Sequence, residues 1–266
     1  MIRTITVYTG DSDCAKAAQQ HAIALAKHVS ARLKVVGLYD AKSNDMNEMG
    51  AEAASNLVQQ KRDTLVKEAE RAGVKVATGL RGNGLTRGLL QEARETDVLV
   101  LGLPTEADMQ SDDAAAHLVR KERPVLRKAQ CALLLVNQPP KPINKILACY
   151  SKEPVAQRML QMIGYMAEGY KARVGVFTIS QDPTDATEVA VSAEEYLKGF
   201  DIPAIETMPK SGSTSSKVTI LQIAELFEAD LIGMGEEGHN WLERFMCANL
   251  AERTAMATCV PLLIVR

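Results

Sequence analysis

Two consecutive α/β units, each a doubly wound, parallel five-stranded sheet sandwiched by helices, are predicted for this chain on three observations. Its order is written twice: ITVYTGDSD from Ile5, DVLVLG from Asp97 and CALLLV from Cys131 recur as ILACYSKEP from Ile146, DLIGMG from Asp230 and VPLLIV ending at Val265. Strand-like and helix-like patterns alternate throughout. Several strand segments are near-continuous apolar runs, the pattern of a sheet buried on both faces. The repeat is far longer than a solenoid period and implies two copies of one domain. Right-handed crossovers then wind each copy into a sandwich. The predicted bounds are 1–137 for the first domain, 138–142 for a stiff Pro-rich linker and 143–266 for the second domain.

In chain order, Ile5–Thr9 is an apolar strand running into a Gly-Asp-Ser turn. Asp13 to Ser30 has helical periodicity, with Ser12 or Asp13 as N-cap. Leu33–Tyr39 reads as a strand, Met49–Ala72 as a long helix stopped by Gly73, and Val74–Thr78 as a short strand. Leu85–Arg94 is helical, Val98–Gly102 a strand, Ala114–Lys128 a helix disturbed by Pro124, and Ala132–Val136 the closing strand. The second copy repeats this with strands at Ile146–Tyr150, Arg173–Ile179, Ala204–Met208, Leu231–Gly235 and Leu262–Val265. Its helices fall at Val155–Tyr170, Ala186–Gly199, Thr219–Ala229 and Asn249–Ala257, with a loop at Ser211–Ser216. Met159, Met162 and Met166 lie at helical spacing and read as core, with a soft contact surface or a pocket for a small apolar ligand as the alternative.

Composition narrows the function classes. The first half, to Asn137, holds 19 basic and 17 acidic residues; the remainder holds 12 and 16, so the halves carry +2 and −4. Neither has the basic excess of a nucleic-acid binder. No apolar run reaches membrane-spanning length, and the amino-terminal MIRTITVYTG reads as a strand rather than a leader, so no membrane insertion and a cytoplasmic location are expected. The five cysteines are odd in number and form no CxxC, which predicts free thiols rather than disulfides or a zinc site. His21, His28, His117 and His239 form no ligand cluster. Nucleophile-elbow, Walker, HExxH and dinucleotide motifs are all missing, so no catalytic residue is named. Gly82-Asn83-Gly84 reads as a tight turn.

Ligands in such sheets bind where the strand order reverses, beyond the carboxyl ends of the first and fourth strands. After the fourth strand of the second copy stand Gly235 and Gly238, with two residues between them, then nine residues, then Ala248-Asn249. This spacing, the order of elements and the ending LAERTAMATCVPLLIVR resemble the universal stress protein family, twice in tandem. The resemblance implies an adenine nucleotide alpha hydrolase-like fold. It also implies pairing of the two copies through their last strands, and homodimerisation is a further expectation. In nucleotide-binding members the loop cradles ATP phosphates by backbone N–H groups and a helix dipole, so ATP or AMP, with Mg²⁺ beside ATP, would be the implied cofactor. Gly235, Gly238, Ala248 and Asn249 are the corresponding residues here, and Tyr150 stands where such members carry an Asp after the first strand.

The departures point away from that chemistry. Ala248 replaces a glycine, Asn249 replaces a Ser or Thr, and Glu236-Glu237 puts two carboxylates between the glycines. The first copy keeps Gly102 but follows it with Leu103-Pro104, and its Asp11 is displaced by one residue. The sequence therefore predicts a stress-response protein, mainly non-catalytic, that acts by binding a ligand or partner. The alternative is an ATP/AMP sensor with one working site in the second copy; slow ATP hydrolysis is a third, weaker reading.

Overall fold

The computed structural model describes residues 1–39, 48–104, 124–211, 217–235 and 260–266. Chain contacts divide it into two compact units, one covering Ile2–Pro140 and the other Lys141–Arg266. In the first unit the elements are β1 (Thr4–Tyr8), α1 (Asp13–His28), β2 (Arg32–Leu38), α2 (Glu48–Arg71), β3 (Val76–Arg81), α3 (Leu85–Glu92), β4 (Val98–Gly102) and β5 (Ala132–Val136). Residues 124–128 are also helical, so Pro124 opens the described part of that helix. The second unit holds β6 (Lys145–Cys149), α4 (Pro154–Tyr170), β7 (Arg173–Ser180), α5 (Pro183–Leu197), β8 (Ile205–Ser211), α6 (Lys217–Phe227), β9 (Leu231–Gly235) and β10 (Leu262–Val265).

Within the first unit the strands lie in the order β3-β2-β1-β4-β5, all parallel, and within the second β8-β7-β6-β9-β10, all parallel. The predicted doubly wound sandwich is thus present twice. Strand alternation puts helices on both faces: Gly37 faces Val58 of α2, while Leu38, one residue on, faces Gly88 of α3. The central strands β4 and β9 are buried along their whole length, which explains their unbroken apolar runs.

The expected strand at Val74–Thr78 lies instead at Val76–Arg81, because Val74 is still tied to the end of α2 through Ala69 O (3.0 Å). The helix expected from Ala186 begins at Pro183, where Asp182 caps it by accepting from Thr184 N. Ser12 caps α1, accepting from Ala15 N. Gly73 ends α2 in the left-handed region, as a helix stop requires. In the expected Gly82-Asn83-Gly84 turn, only Gly84 has positive φ; Gly82 is needed because the Tyr39 ring lies within 3 Å of where its Cβ would stand.

Position by position, the duplication survives in details that no composition would reveal. Asp97 accepts from the backbone N–H groups of Arg3 (2.7 Å) and Thr4 (2.9 Å); Asp230 does the same for Asn144 (2.8 Å) and Lys145 (2.9 Å). Each carboxylate thereby ties the start of its unit's first strand to the strand beside it. Ser30 and Lys171, just past α1 and α4, both adopt φ near 55°.

Candidate functional site

The candidate site of each unit is the turn after its first strand together with the end of its fourth. In the first unit this turn is closed upon itself. Asp11 is ion-paired with Lys61 of α2. Gln19 donates from Nε2 to Gly10 O (3.0 Å) and reaches Tyr8 O (3.4 Å). Ser12 caps α1, and Asp13 adds a carboxylate in its first turn. Beyond β4, Leu103 is fully buried and donates its N–H to Val136 O (2.8 Å). The first N–H past the glycine is thus committed to the sheet.

Gly102 itself has a packing explanation. A Cβ there would lie 2.0 Å from Cys14 O and 2.8 Å from Ala15 N, inside the backbone of the first turn of α1. Gly235 occupies the matching place in the second unit, where a Cβ would come 3.0 Å from Ala156 N and 3.1 Å from Ala156 Cα of α4. Gly102 is therefore required by a helix that crosses the strand end closely, with or without a ligand, and Gly235 is favoured by a similar but less severe approach.

The second unit's turn is built differently. Tyr150 follows β6, is half-buried, and donates its N–H to Phe177 O (2.8 Å). Burial pushes its phenol up, with Tyr196 adding to the effect. Lys152 pairs with Asp185 of α5, and its bond, then that of Ser180, pulls the Asp185 carboxyl below its ordinary range. Glu153 occupies the N-cap position of α4 without a side-chain capping bond, Pro154 follows it, and no acid lies in the first turn. Gly238, Ala248 and Asn249, with Glu236 and Glu237, lie outside the described residues. Of the five residues expected at the site, Gly235 and Tyr150 are thus placed, at the ends of neighbouring strands β9 and β6.

Other titratable groups lie away from this edge. His21 is buried in α1 with Nε2 3.1 Å from Gln138 O, and burial lowers its pKa to about 4. His28 is exposed, and His117 and His239 fall outside the described residues. Cys14, Cys131 and Cys149 are buried and form no disulfide, and burial pushes the Cys149 thiol up to about 12. Among the described residues no group of His, Cys, Asp or Glu could hold a metal ion, and no helix is long and apolar enough to cross a membrane. Met159 and Met166 are fully buried in α4, and Met159 approaches Gly233 of β9.

Sequence reasoning missed the Asp97 and Asp230 ties and the two turn ion pairs. The signal for the first was present, since each repeated motif begins with that Asp. The second had none, because the paired residues are separated by 50 and 33 positions.

The model of the universal stress protein family matches this chain at residues 1–137 and again at 142–266. A universal stress protein from Archaeoglobus fulgidus DSM 4304 superposes with TM-score 0.76 at 13% identity, covering 98% of this chain and 97% of that one. A functionally unknown protein from Pseudomonas aeruginosa PAO1 does so with TM-score 0.57 at 17% identity, over 99% and 92% of the two chains. The cytoplasmic domain of a prokaryotic cation chloride cotransporter gives TM-score 0.58 at 14% identity, over 100% and 95%. No curated protein matches. At these identities the structures speak for the fold alone, whereas the double family match covers nearly the whole chain: it belongs to the universal stress protein family, as two copies in tandem.

Proposed function

We propose that this universal stress protein acts in the stress response by binding a ligand or partner, without catalysis and without a nucleotide in its first unit. The observation that carries this reading is the closed turn after β1. Asp11 is held by Lys61, the Gly10 carbonyl by Gln19, and the first N–H past Gly102 by Val136. A triphosphate needs donors, and the Lys61 ammonium and the Leu103 N–H are already engaged, so the residues present there do not fit one.

One specific observation favours the alternative for the second unit, an ATP/AMP sensor. Its turn lacks the Gln19-type tie, since Leu160 occupies the matching helix position, and it carries the half-buried Tyr150 at the end of the strand next to the one that ends in Gly235. An aromatic face at such an edge can stack on a base. Calorimetry with ATP, ADP and AMP, each with and without Mg²⁺, separates the readings. Absence of saturable heat at high protein concentration supports the non-nucleotide reading. Micromolar binding that Gly238→Val abolishes would establish the sensor instead.

A further inference from the structure

We propose that the outer edge of β3 is a docking site for an extended segment of another protein, apolar at alternate positions and carrying a carboxylate where it passes Lys75. The argument starts from backbone direction. Leu33 donates to Lys75 O (2.9 Å) and Tyr39 to Arg81 O (3.0 Å), and the register runs without a break from Leu33↔Val76 to Leu38↔Arg81. In a parallel pair these bonds fix the odd-numbered residues of β3 as facing β2. Val76, Thr78 and Leu80 therefore turn their N–H and C=O groups away from the sheet, and these groups have no backbone partner among the described residues. An open row of donors and acceptors at the end of a ladder is a template for one more strand.

The far strand of the other unit shows what a guarded edge looks like. Val174 donates to Ala204 O (2.9 Å), so on β8 the even-numbered residues face β7 and Pro209 points outward. Proline has no N–H there to offer. Glu206 and Lys210 add charges to the same short strand. Between Val76 and Leu80 the sequence VATGL has neither proline nor charge.

Charge selects the occupant. Strand alternation puts Lys75 and Arg81 on one face. Arg81 is already held by Glu92, whereas Lys75 is exposed and has no ion-pair partner among the described residues. A second copy added antiparallel about Thr78 would set Lys75 opposite Arg81 of its mate, and like charges so placed repel. Three paired residues also fall far short of the roughly 1,000 Å² that a stable dimer buries. A segment with a carboxylate opposite Lys75 and apolar side chains beside Val76 and Leu80 avoids that repulsion, and over so short a stretch it docks weakly and transiently rather than as a stable assembly.

The test uses the full chain and amide hydrogen exchange. In dilute free protein the amides of Val76, Thr78 and Leu80 exchange faster than those of Ala77 and Gly79. The probe is a short blocked peptide of alternating Val and Thr with one terminal Glu; its control carries Lys instead. At millimolar concentration the Glu peptide should slow the three outward amides about tenfold, and the Lys peptide should do so less. Thr78→Pro should abolish the slowing while Ala77 and Gly79 stay protected. Thr78→Lys, which leaves the backbone free to fold, should weaken it. Outward amides already protected in dilute free protein would overturn the proposal, as would no slowing by either peptide or equal slowing by both. Protection that rises with protein concentration alone would also overturn it, in favour of a second copy.

Discussion

Between the sheet and the helix that follows its third strand, the two units solve one packing problem with opposite chemistry. In the first, Lys34 on β2 reaches Glu92 of α3, which is fully buried and also accepts from Arg81 Nε (2.9 Å); Lys34 further bonds Glu95 (3.1 Å). Burial pulls the Lys34 ammonium down, but its bonds to Glu92 and Glu95 outweigh that and raise it. In the second unit, Gly175 takes the place of Lys34, as their pairings with Leu147 and Thr6 show. A Cβ on Gly175 would meet Met208 Cε at 2.5 Å and Phe227 Cε1 at 3.0 Å. Met208 in turn stands where the first unit has Gly79, beside Phe177 and Val36 respectively. The long side chain has moved from one strand to its neighbour and the glycine has moved the other way. The fold fixes the volume to be filled in this layer, and leaves the choice of charge or hydrocarbon open.

The largest effect should come from breaking the charged version halfway. Glu92→Ala leaves Lys34 and Arg81 facing an apolar layer and should cost about 3 kcal/mol, the lower end of the range for buried pairs. The side chains of those cations keep 18% and 31% exposure and so retain part of their hydration. Converting the layer to the second unit's type, with Glu92→Leu and Lys34→Met together, should recover most of that loss. Hydrogen exchange along β2 in denaturant reads both. A double variant as unstable as Glu92→Ala would mean that the ion cluster is favourable in itself.

Next in size is an acid-sensitive difference. His21 of α1 corresponds to Met162 of α4, and only the first unit therefore buries an imidazole at that place. Its pKa falls to about 4 in the folded chain because burial disfavours the charged ring. The unfolded chain, with an ordinary value near 6.5, binds the proton more readily between those two pH values. Stability from the neutral ring is thus complete above about pH 6.5 and declines towards pH 4, by about 3 kcal/mol in all. His21→Met should flatten that limb of the first unit's stability-pH curve. An unchanged slope would place the acid sensitivity elsewhere.

The strand-end glycines come third. Gly102→Ala drives a methyl into the Cys14 carbonyl, while Gly235→Ala meets backbone at 3.0 Å. Overpacking of this kind typically costs about 1–3 kcal/mol, so Gly102→Ala belongs at the top of that range and Gly235→Ala near the bottom. Equal effects on the two units, measured by the same exchange experiment, would undo the claim that their approach differs.

How much of this was legible follows from what each residue type can signal. The sandwich was readable because buried parallel strands must be apolar runs and covering helices must be periodic, and both survive in Val98–Gly102, Leu231–Gly235 and α4. The end of α2 and the start of β3 were not, since Val74 is apolar in either reading and only its bond to Ala69 decides. Gly235 was singled out for the site, but its sequence context cannot tell a phosphate cradle from a close helix crossing. That distinction lies in the position of Ala156, and spacing does not encode it. Lys34, Glu92 and Met208 look like surface charges and a stray thioether in the sequence, because their meaning depends on which residue faces them across strands.

The smallest effect tests the site itself. Asp11 and Lys152 occupy corresponding positions, two residues before the start of α1 and α4, and each pairs with the next helix of its unit with the polarity reversed. If the pairs only tether their turns, polarity is immaterial: Asp11→Lys with Lys61→Asp should leave stability within about 1 kcal/mol, as for exposed pairs generally. Asp185 is held below its ordinary range by Lys152, so the second pair persists above the usual carboxyl pKa and is lost as pH falls through the lowered one. Added salt should weaken both pairs. Calorimetry then distinguishes a tether from a gate. With Lys61→Ala the first turn is still held by Gln19 and still blocked by Val136's claim on the Leu103 N–H, so no nucleotide binding should appear. Saturable binding of ATP to that variant would mean that the ion pair alone had kept the first unit closed.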